Sequence, residues 1–443
     1  MNGWPIWLCR LGAILAELAG RLRALLAGER QTFVLVSFSV NLLFLVRSYA
    51  TMQLLDYRGL GLAALLQSVM LLIGALHFGI INGGYRLICA ADGEEAARLN
   101  DFVFSFIGGL ALAALVVGGA SLPFVRGGEA DLVVLLGVFG GALTLSRIWV
   151  MNRMVAGGML RLLNRVNFWS AAGSLVALGY AVIDPLPACL AAIVLQPAFF
   201  LVAALYADRR LLPRRIEVDR RLVRNVLHAG FVVFLTGIFL QVNVQIERWY
   251  VTAYLGLDAL GHLYLAILFV TLFQLVPTSF DQIYLPAVVR EHAADSGDGL
   301  ARIMRQFFLV VAGYCVLAAI AVALLARPVT ALILPQYVGD LRYVYLIAPG
   351  MILFTLGAPL AIMFNVLIRY RTYFIAYGIG TLVTAGVVAW AILSGTVLSL
   401  DAVALLRSGA YALMTAMLVA GFLVLSREHR RFRFRFRQSS RRP

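Results

Sequence analysis

Four arginines, Arg47, Arg147, Arg248 and Arg407, lie inside long apolar stretches of the sequence. A guanidinium stays charged when buried and can bind a phosphate through two parallel hydrogen bonds. At bilayer depth such a charge normally faces a cavity or a partner. Arg147 and Arg407 lie close to the end of a predicted span, so both could instead reach the interface along their own side chains. Arg47 and Arg248 lie deeper, and we predict that they line a cavity.

Polar side chains accompany the two deeper arginines at helical spacing. One stripe recurs at i, i+4, i+7 and i+11 and therefore occupies one helical face: Gln241, Gln245, Arg248 and Thr252. A weaker stripe runs beside Arg47: Ser37, Asn41, Ser48 and Thr51. Such stripes face water or substrate rather than lipid. The alternative is that they form hydrogen bonds between packed helices.

Carboxylates are scarce in the same stretches. Glu247 adjoins Arg248, and Asp281 follows Pro277 near the end of another apolar stretch. Either could bind a coupling proton or sodium ion, and either could neutralise an arginine. Of the two roles, we favour neutralisation.

Enzyme and metal signatures are missing from the sequence. It contains no lysine, which excludes a phosphate-binding loop with its lysine, and it has no HExxH or GxSxG motif. The cysteines are widely spaced, without metal-ligand spacing: Cys9, Cys89, Cys189 and Cys315. We expect no enzyme activity, no cofactor and no metal.

Composition places the chain in a membrane. Of its 443 residues, 62% are hydrophobic and 13% are charged, with a mean hydropathy of +0.90. Soluble domains have about 45–50% apolar and about 25% charged residues. Stretches of roughly 20 apolar residues predict twelve spanning helices. They are 33–54, 60–84, 102–124, 131–152, 167–184, 187–206, 228–254, 260–284, 304–326, 343–366, 372–394 and 401–425.

The arginines between these spans predict the topology. Alternate connections and both termini hold 29 arginines, whereas the opposite connections hold 4 (Arg58, Arg126, Arg327 and Arg342). This asymmetry predicts a multi-pass protein of a bacterial inner membrane with both termini in the cytoplasm. The same rule explains the net charge of +15 without a nucleic-acid partner.

The connections divide the chain into five segments. Residues 1–29 repeat apolar side chains at helical spacing and predict an amphipathic helix at the cytoplasmic surface; an ordinary helix packed on the bundle is the alternative. Residues 30–206 form a first lobe, 207–225 an arginine-rich linker, and 226–426 a second lobe. The tail, 427–443, alternates arginine and phenylalanine, which suits adhesion to anionic lipid headgroups.

An internal repeat relates the two lobes. Arg47-x-Tyr49-x-Thr51 in the first span matches Arg248-x-Tyr250-x-Thr252 in the seventh. An Asp-x-x-Gly motif follows each, at 56–59 and 258–261. Both spans run in the same direction, so the repeats are parallel. The predicted fold is an all-α membrane protein with two six-helix lobes around a central cavity.

Three passages resemble the polysaccharide-flippase branch of the multidrug/oligosaccharidyl-lipid/polysaccharide exporter superfamily. They are the turn at 54–62, the turn with its flanking spans at 245–266, and Leu334-Pro335-Gln336-Tyr337. In the second passage, Glu247-Arg248 is similar to an acidic-basic pair of that family. The resemblance covers about residues 30–426, and the segments at 1–29 and 427–443 depart from it.

The resemblance implies alternating access and export of a lipid-linked oligosaccharide or exopolysaccharide, with Arg248 and Arg47 contacting phosphate. It also implies polysaccharide-assembly proteins as partners. A drug/cation antiporter of the same superfamily is an alternative, although such pumps need a carboxylate deep in the first span, and this sequence has none there. A membrane-embedded polymerase or acyltransferase is a further alternative, but paired catalytic residues are missing.

Overall fold

The computed structural model describes residues 29–89, 91, 93–121, 128–293, 297–367 and 370–439. Within these ranges the chain is almost entirely helical and contains no strand. Of the predicted amphipathic helix at 1–29, all residues except Glu29 lie outside the described residues, as do the last residues of the tail, 440–443. Their predicted roles at the membrane surface stay predictions.

The described chain forms fifteen α-helices. They are α1 Glu29–Leu54, α2 Tyr57–Ala75, α3 Ile80–Ile88, α4 Gly93–Ser121, α5 Glu129–Ala156, α6 Leu160–Leu175, α7 Pro185–Ala207, α8 Arg220–Tyr250, α9 Leu257–His262, α10 Tyr264–Ala293, α11 Gly297–Ile333, α12 Leu341–Leu356, α13 Ala358–Val366, α14 Tyr370–Ser394 and α15 Leu400–Ser439. Short 3₁₀ segments lie at Val176–Val182, Arg209–Leu211 and Pro335–Asp340, and a π-helical turn lies at Val251–Leu255.

Aspartates fix several helix starts. The Asp56 carboxylate accepts a hydrogen bond from the Gly59 backbone N–H at 2.8 Å and caps α2. Asp184 and Asp219 cap α7 and α8 in the same way. A side-chain oxygen at this position satisfies a backbone N–H that the helix leaves without a partner. The Asp-x-x-Gly motif of the first half is thus a helix start.

Each of the twelve predicted apolar stretches coincides with helical structure. Nine helices in the described ranges are long and apolar enough to cross a membrane, and the bent helix α8, with its π-helical extension, raises the number to ten. The two remaining stretches correspond to α1 and to α6, which has 16 residues and is prolonged by the 3₁₀ segment. The exact count of twelve stays a prediction.

Several of the stretches are interrupted, and two of these breaks include a glycine. The second divides into α2 and α3 around Phe78 and Gly79, which have positive φ angles of 48° and 88°. The tenth divides into α12 and α13 at Gly357, which keeps an ordinary φ of −75°, so the positive-φ explanation applies only to the second stretch. A residue with positive φ ends the regular hydrogen-bonding of a helix, and glycine adopts it most readily.

The helices pack in two groups that follow the order of the sequence. In the first half, α2 packs on α5, and α6 packs on α1 and α7. In the second half, α12 packs on α15, and α14 packs on α8 and α15. The groups meet where α2 and α3 contact α8 and α9, and where α1 contacts α10. This arrangement agrees with two lobes, while the predicted segment boundaries stay predictions.

The bundle has two chemically different ends. The Arg-rich end carries the linker between α7 and α8. Glu217 and Asp219 of this linker each form an ion pair with the Arg98 side chain of α4 at 2.8 Å. The Arg-poor end carries Arg58 and Arg342. At the Arg-poor end the two halves approach closely, because a Cβ at Gly261 would lie only 1.9 Å from the Tyr57 carbonyl oxygen.

Candidate substrate site

Arg47 is held at the contact between α1 and α7. Its Nη1 donates a hydrogen bond to the Ala192 carbonyl oxygen at 3.2 Å, and its guanidinium carbon lies 5.1 Å from the centre of the Phe44 ring. The side chain is partly buried within the bundle. The carbonyl and the aromatic ring each compensate part of the cost of burying the charge.

Arg147 lies next to Arg47 in the first half, close enough for the two like charges to repel each other. The amide of Gln196, oriented with its oxygen toward Arg147, accepts hydrogen bonds from Nη1 at 3.0 Å and Nη2 at 3.1 Å. Nη2 is also 3.4 Å from the Asn167 amide oxygen. These contacts hold Arg147 against α6 and α7, while its predicted place in a cavity stays a prediction.

Arg407 and Glu247 form a buried ion pair in the second half. Nε of Arg407 lies 2.6 Å from Oε2 of Glu247, and the two side chains are 2% and 5% exposed. Arg407 therefore does not reach an interface either. This contact agrees with the role favoured for Glu247, which was to neutralise the charge of an arginine. The side chain of Asp281, the other candidate for ion coupling, lies outside the described side chains.

Arg248 is a buried cation with unsatisfied hydrogen-bond donors. Its side chain is buried, and neither Nε nor Nη1 has a hydrogen-bond partner in the described part of the chain. Arg407 lies close enough to repel it, while Glu247 attracts both arginines. A buried guanidinium with two unsatisfied donors is costly unless an anion completes it.

Tyr264 connects the two pairs of arginines. Its buried side chain interacts electrostatically with both Arg47 and Arg248, and it lies beside Ser48 and Gln67 of the first half. The repeat-related arginines therefore approach one shared side chain at the junction of the halves. The arginines thus form two pairs, one in each half, and Arg47, Arg147, Arg248, Arg407 and Glu247 are together called the arginine cluster.

The polar stripe on α8 also binds the other half. Gln245 accepts a short hydrogen bond from the Ser68 hydroxyl of α2, and the same hydroxyl accepts one from Trp249 Nε1 at 3.1 Å. Gln245 therefore forms a hydrogen bond between packed helices, which was the alternative to facing substrate. Its Nε2 has no hydrogen-bond partner in the described structure. Gln241 and Asn41 are partly exposed, and their predicted role in substrate binding stays a prediction.

Several polar residues of the region were missed by the sequence analysis. Gln196 and Asn167 hold Arg147, and Asn243 is buried with an amide oxygen that lacks a partner among the described residues. Gln196 is a lone amide in an apolar stretch, directly before Pro197. An isolated polar residue in a spanning helix is a usable signal, because burial without a partner is costly.

The chemistry available to this cluster is ionic. In the described part of the chain, no group of three or more His, Cys, Asp or Glu side chains is placed to hold a metal ion. Arg248 and Arg407 are buried, and Arg47 and Arg147 are partly buried. Guanidinium groups can bind an anion by charge-assisted hydrogen bonds. A wet cavity around them stays a prediction.

Solved structures share this fold. An inward-facing multidrug resistance MATE family transporter of the MOP superfamily aligns with a TM-score of 0.71 at 13% identity, over 89% of this chain and 98% of that chain. The lipid II flippase MurJ in an inward closed conformation gives 0.69 at 13% identity, over 88% and 87%. A MOP superfamily transporter from Pyrococcus furiosus gives 0.62 at 14% identity, over 91% and 97%.

The chain therefore has the same fold as these solved transporters, and its apolar helices make it a multi-pass membrane protein. The likeness covers nearly the whole of those chains, so the predicted all-helical membrane fold is confirmed, while the count of twelve spans stays a prediction. No protein-family model matches the sequence, and no curated protein sequence matches it.

Proposed function

We propose that this chain is a transporter that moves a lipid-linked oligosaccharide or an exopolysaccharide across a bacterial inner membrane. The observation that carries the proposal is the excess of buried positive charge in the arginine cluster. Four guanidinium groups less one carboxylate leave three positive charges uncompensated by the described residues around them. Low-dielectric surroundings make such an excess unfavourable until an anion enters.

A phosphate or diphosphate is the anion that suits this cluster best. Arginine binds phosphate oxygens through a planar fork of N–H groups, which gives both charge compensation and direction. Arg248 leaves Nε and Nη1 unsatisfied, and each of them is one donor of a fork that Nη2 completes. A lipid-linked sugar carries its phosphate between an apolar chain and a polar glycan. Anchoring this phosphate at the junction of the halves would leave the lipid and the glycan on opposite sides of it.

The contacts at the Arg-poor end favour alternating access as the mechanism. There the Tyr337 hydroxyl donates a hydrogen bond to the Met52 carbonyl oxygen at 2.8 Å, and Gln53 Nε2 donates one to the Ile333 carbonyl oxygen at 2.9 Å. Both bonds join the first half to the second and hold this end closed. Opening requires both to break. Because the Arg-rich end is expected to face the cytoplasm, we propose export toward the periplasm.

A drug/cation antiporter remains the competing function, since a MATE family transporter shares the fold. A cationic substrate requires a free carboxylate in the site. Here Glu247 lies 2.6 Å from Arg407, and α1 has no carboxylate beyond its first residue, Glu29. A site with three excess positive charges repels a cation. The charge balance of the cluster therefore favours the anionic, lipid-linked substrate.

The test replaces the two repeat-related arginines in the source organism. We expect Arg47→Gln and Arg248→Gln each to reduce surface polysaccharide by at least about tenfold, the effect of losing roughly 1.4 kcal/mol of phosphate binding. Arg58→Gln is the matched control, because Arg58 pairs with Glu129 at 3.2 Å in an exposed position. Membrane insertion of each variant is checked by immunoblotting of the membrane fraction.

The same strains separate the two functions. Normal polysaccharide in both cluster variants would contradict the proposal. Intact polysaccharide together with raised sensitivity to cationic drugs would instead establish the antiporter.

A further inference from the structure

A crevice of about 770 Å³ opens at the Arg-rich end between α3 and α4 of the first half and α8 of the second. Its polar lining is all exposed and consists of Glu95, Arg221, Arg224, Asn225 and His228. Its apolar lining includes Leu87, which is partly buried, and Leu99, which is buried. The crevice thus has a positively charged opening and an apolar lining beneath it.

The charges of the crevice are not compensated by the acidic residues nearby. Glu217 and Asp219 are both bound by the Arg98 side chain, and Glu217 is also 3.3 Å from Arg215. No ion pair joins the guanidinium of Arg221 or Arg224 to a carboxylate in the part of the chain that the structure describes. Glu95 is the carboxylate that lines the crevice. Two arginines less one glutamate leave one positive charge.

We infer that this crevice binds the phosphate group of a membrane lipid. Arg221 and Arg224 are three residues apart on α8 and therefore lie on one helical face. Two neighbouring guanidinium groups suit the oxygens of one phosphate. The apolar lining beneath them suits the first part of an acyl or polyprenyl chain. An amphiphile with a phosphate headgroup matches both parts, whereas a free anion would leave the apolar lining unused.

The crevice lies between the two halves, so a ligand bound there would affect transport. Beside the crevice, α3 of the first half contacts α8 of the second, and this contact is called the seam. Arg86 Nη1 of α3 donates a hydrogen bond across it to the Ala229 carbonyl oxygen of α8 at 3.1 Å. A ligand in the crevice contacts both halves in this arrangement. By mass action it stabilises the conformation in which the halves meet at the Arg-rich end. The lipid would then act as a regulator that is separate from the transported substrate.

The experiment measures lipid binding to the purified full-length protein. The probe is a phosphatidylcholine nanodisc with an increasing fraction of phosphatidylglycerol, and bound lipid is counted by native mass spectrometry after extraction. We expect Arg221→Gln/Arg224→Gln to weaken phosphatidylglycerol binding by roughly tenfold or more. The matched control is Arg209→Gln/Arg210→Gln, which removes two exposed arginines from the same end outside the crevice. The control is expected to bind as the unmodified protein does.

A second variant has the opposite expected sign. Glu95→Gln removes the negative charge of the crevice and should tighten phosphatidylglycerol binding several-fold, a result that a misfolded protein cannot give. The inference would be overturned if both double arginine variants bound phosphatidylglycerol equally weakly, or if Glu95→Gln did not bind it more tightly.

Competition then identifies the source of the phosphate. If a polyprenyl phosphate displaces phosphatidylglycerol at a lower concentration than added phosphatidylglycerol does, the crevice receives a substrate-like lipid. Equal displacement assigns it to bulk anionic lipid. Either outcome supports a lipid phosphate site. Full displacement by inorganic phosphate alone would contradict the role of the apolar lining. None of these outcomes depends on the arginine cluster, so the inference and the proposed function fail separately.

Discussion

The Glu247 carboxylate lies 2.6 Å from the Arg407 guanidinium, with both side chains at most 5% exposed. The contact joins α8 to α15 in the interior of the second half. Removing one member of a buried pair leaves the other charged and unpaired, which costs about 3–5 kcal/mol. We therefore expect Glu247→Gln to lower the thermal unfolding midpoint of the detergent-purified protein clearly.

The matched control for Glu247→Gln is Asp401→Asn. It breaks the exposed pair between Asp401 and Arg342, whose atoms are 3.4 Å apart. Exposed pairs contribute about 1 kcal/mol or less. Equal unfolding midpoints for the two variants would show that the Glu247–Arg407 contact does not carry the expected stability.

Arg248 and Arg407 should respond differently to the same substitution. Arg407→Gln removes the partner of Glu247 and should destabilise the protein. Arg248→Gln removes a buried charge whose Nε and Nη1 have no partners among the described residues, so stability should stay equal or rise. Transport should be lost in both variants. Unfolding midpoints and surface polysaccharide, measured in parallel, check this separation. A clear loss of stability in Arg248→Gln would contradict the absence of partners.

The close packing of α3 against α8 at the Arg-rich end should depend on Gly83. A Cβ at Gly83 of α3 would lie 1.8 Å from the Val226 carbonyl oxygen of α8. Gly83→Ala must therefore move two helices apart, at a cost of about 1–3 kcal/mol. Gly108→Ala in α4 is the control, because no atom lies within 4 Å of its Cβ position. The thermal midpoint should fall only in Gly83→Ala, and an unchanged midpoint would exclude so close an approach.

The closed Arg-poor end should loosen when the Tyr337 hydroxyl is removed. Tyr337→Phe deletes the hydrogen bond to the Met52 carbonyl oxygen and leaves the ring in place. Spin labels at exposed positions 58 and 258 report the separation of the halves by pulsed electron resonance. We expect a larger population of long distances in Tyr337→Phe. Tyr345→Phe, a change of an exposed side chain, should leave the distribution unchanged. Identical distributions in both variants would show that this bond does not hold the end closed.

The helices could be predicted from the sequence because the requirement is local. A stretch of apolar residues long enough to cross a bilayer must satisfy its own backbone, and a helix does so. The break at Phe78 and Gly79 was not predicted. It depends on positive φ angles that the surrounding packing supports, and an apolar pattern carries no signal for them.

The partners in the arginine cluster were harder to predict. The sequence places Glu247 directly beside Arg248, yet its closest cation is Arg407 on a distant helix. Adjacent residues on a helix point in different directions, so neighbours in sequence are poor candidates for an ion pair. Gln196, the residue that holds Arg147, is likewise far from it in the chain. Such partners follow from how helices pack, which the repeat alone does not determine.

The arginine cluster is tested most directly by ligand binding to the purified protein. The probe is a short-chain polyprenyl diphosphate carrying one sugar, with the uncharged polyprenol as its reference, and affinity is measured by isothermal titration calorimetry. We expect the diphosphate to bind the unmodified protein at least about tenfold more tightly than polyprenol, and Arg248→Gln to abolish that difference. Equal affinity of the unmodified protein for the two lipids, or an unchanged difference in Arg248→Gln, would contradict a phosphate-binding role for the cluster.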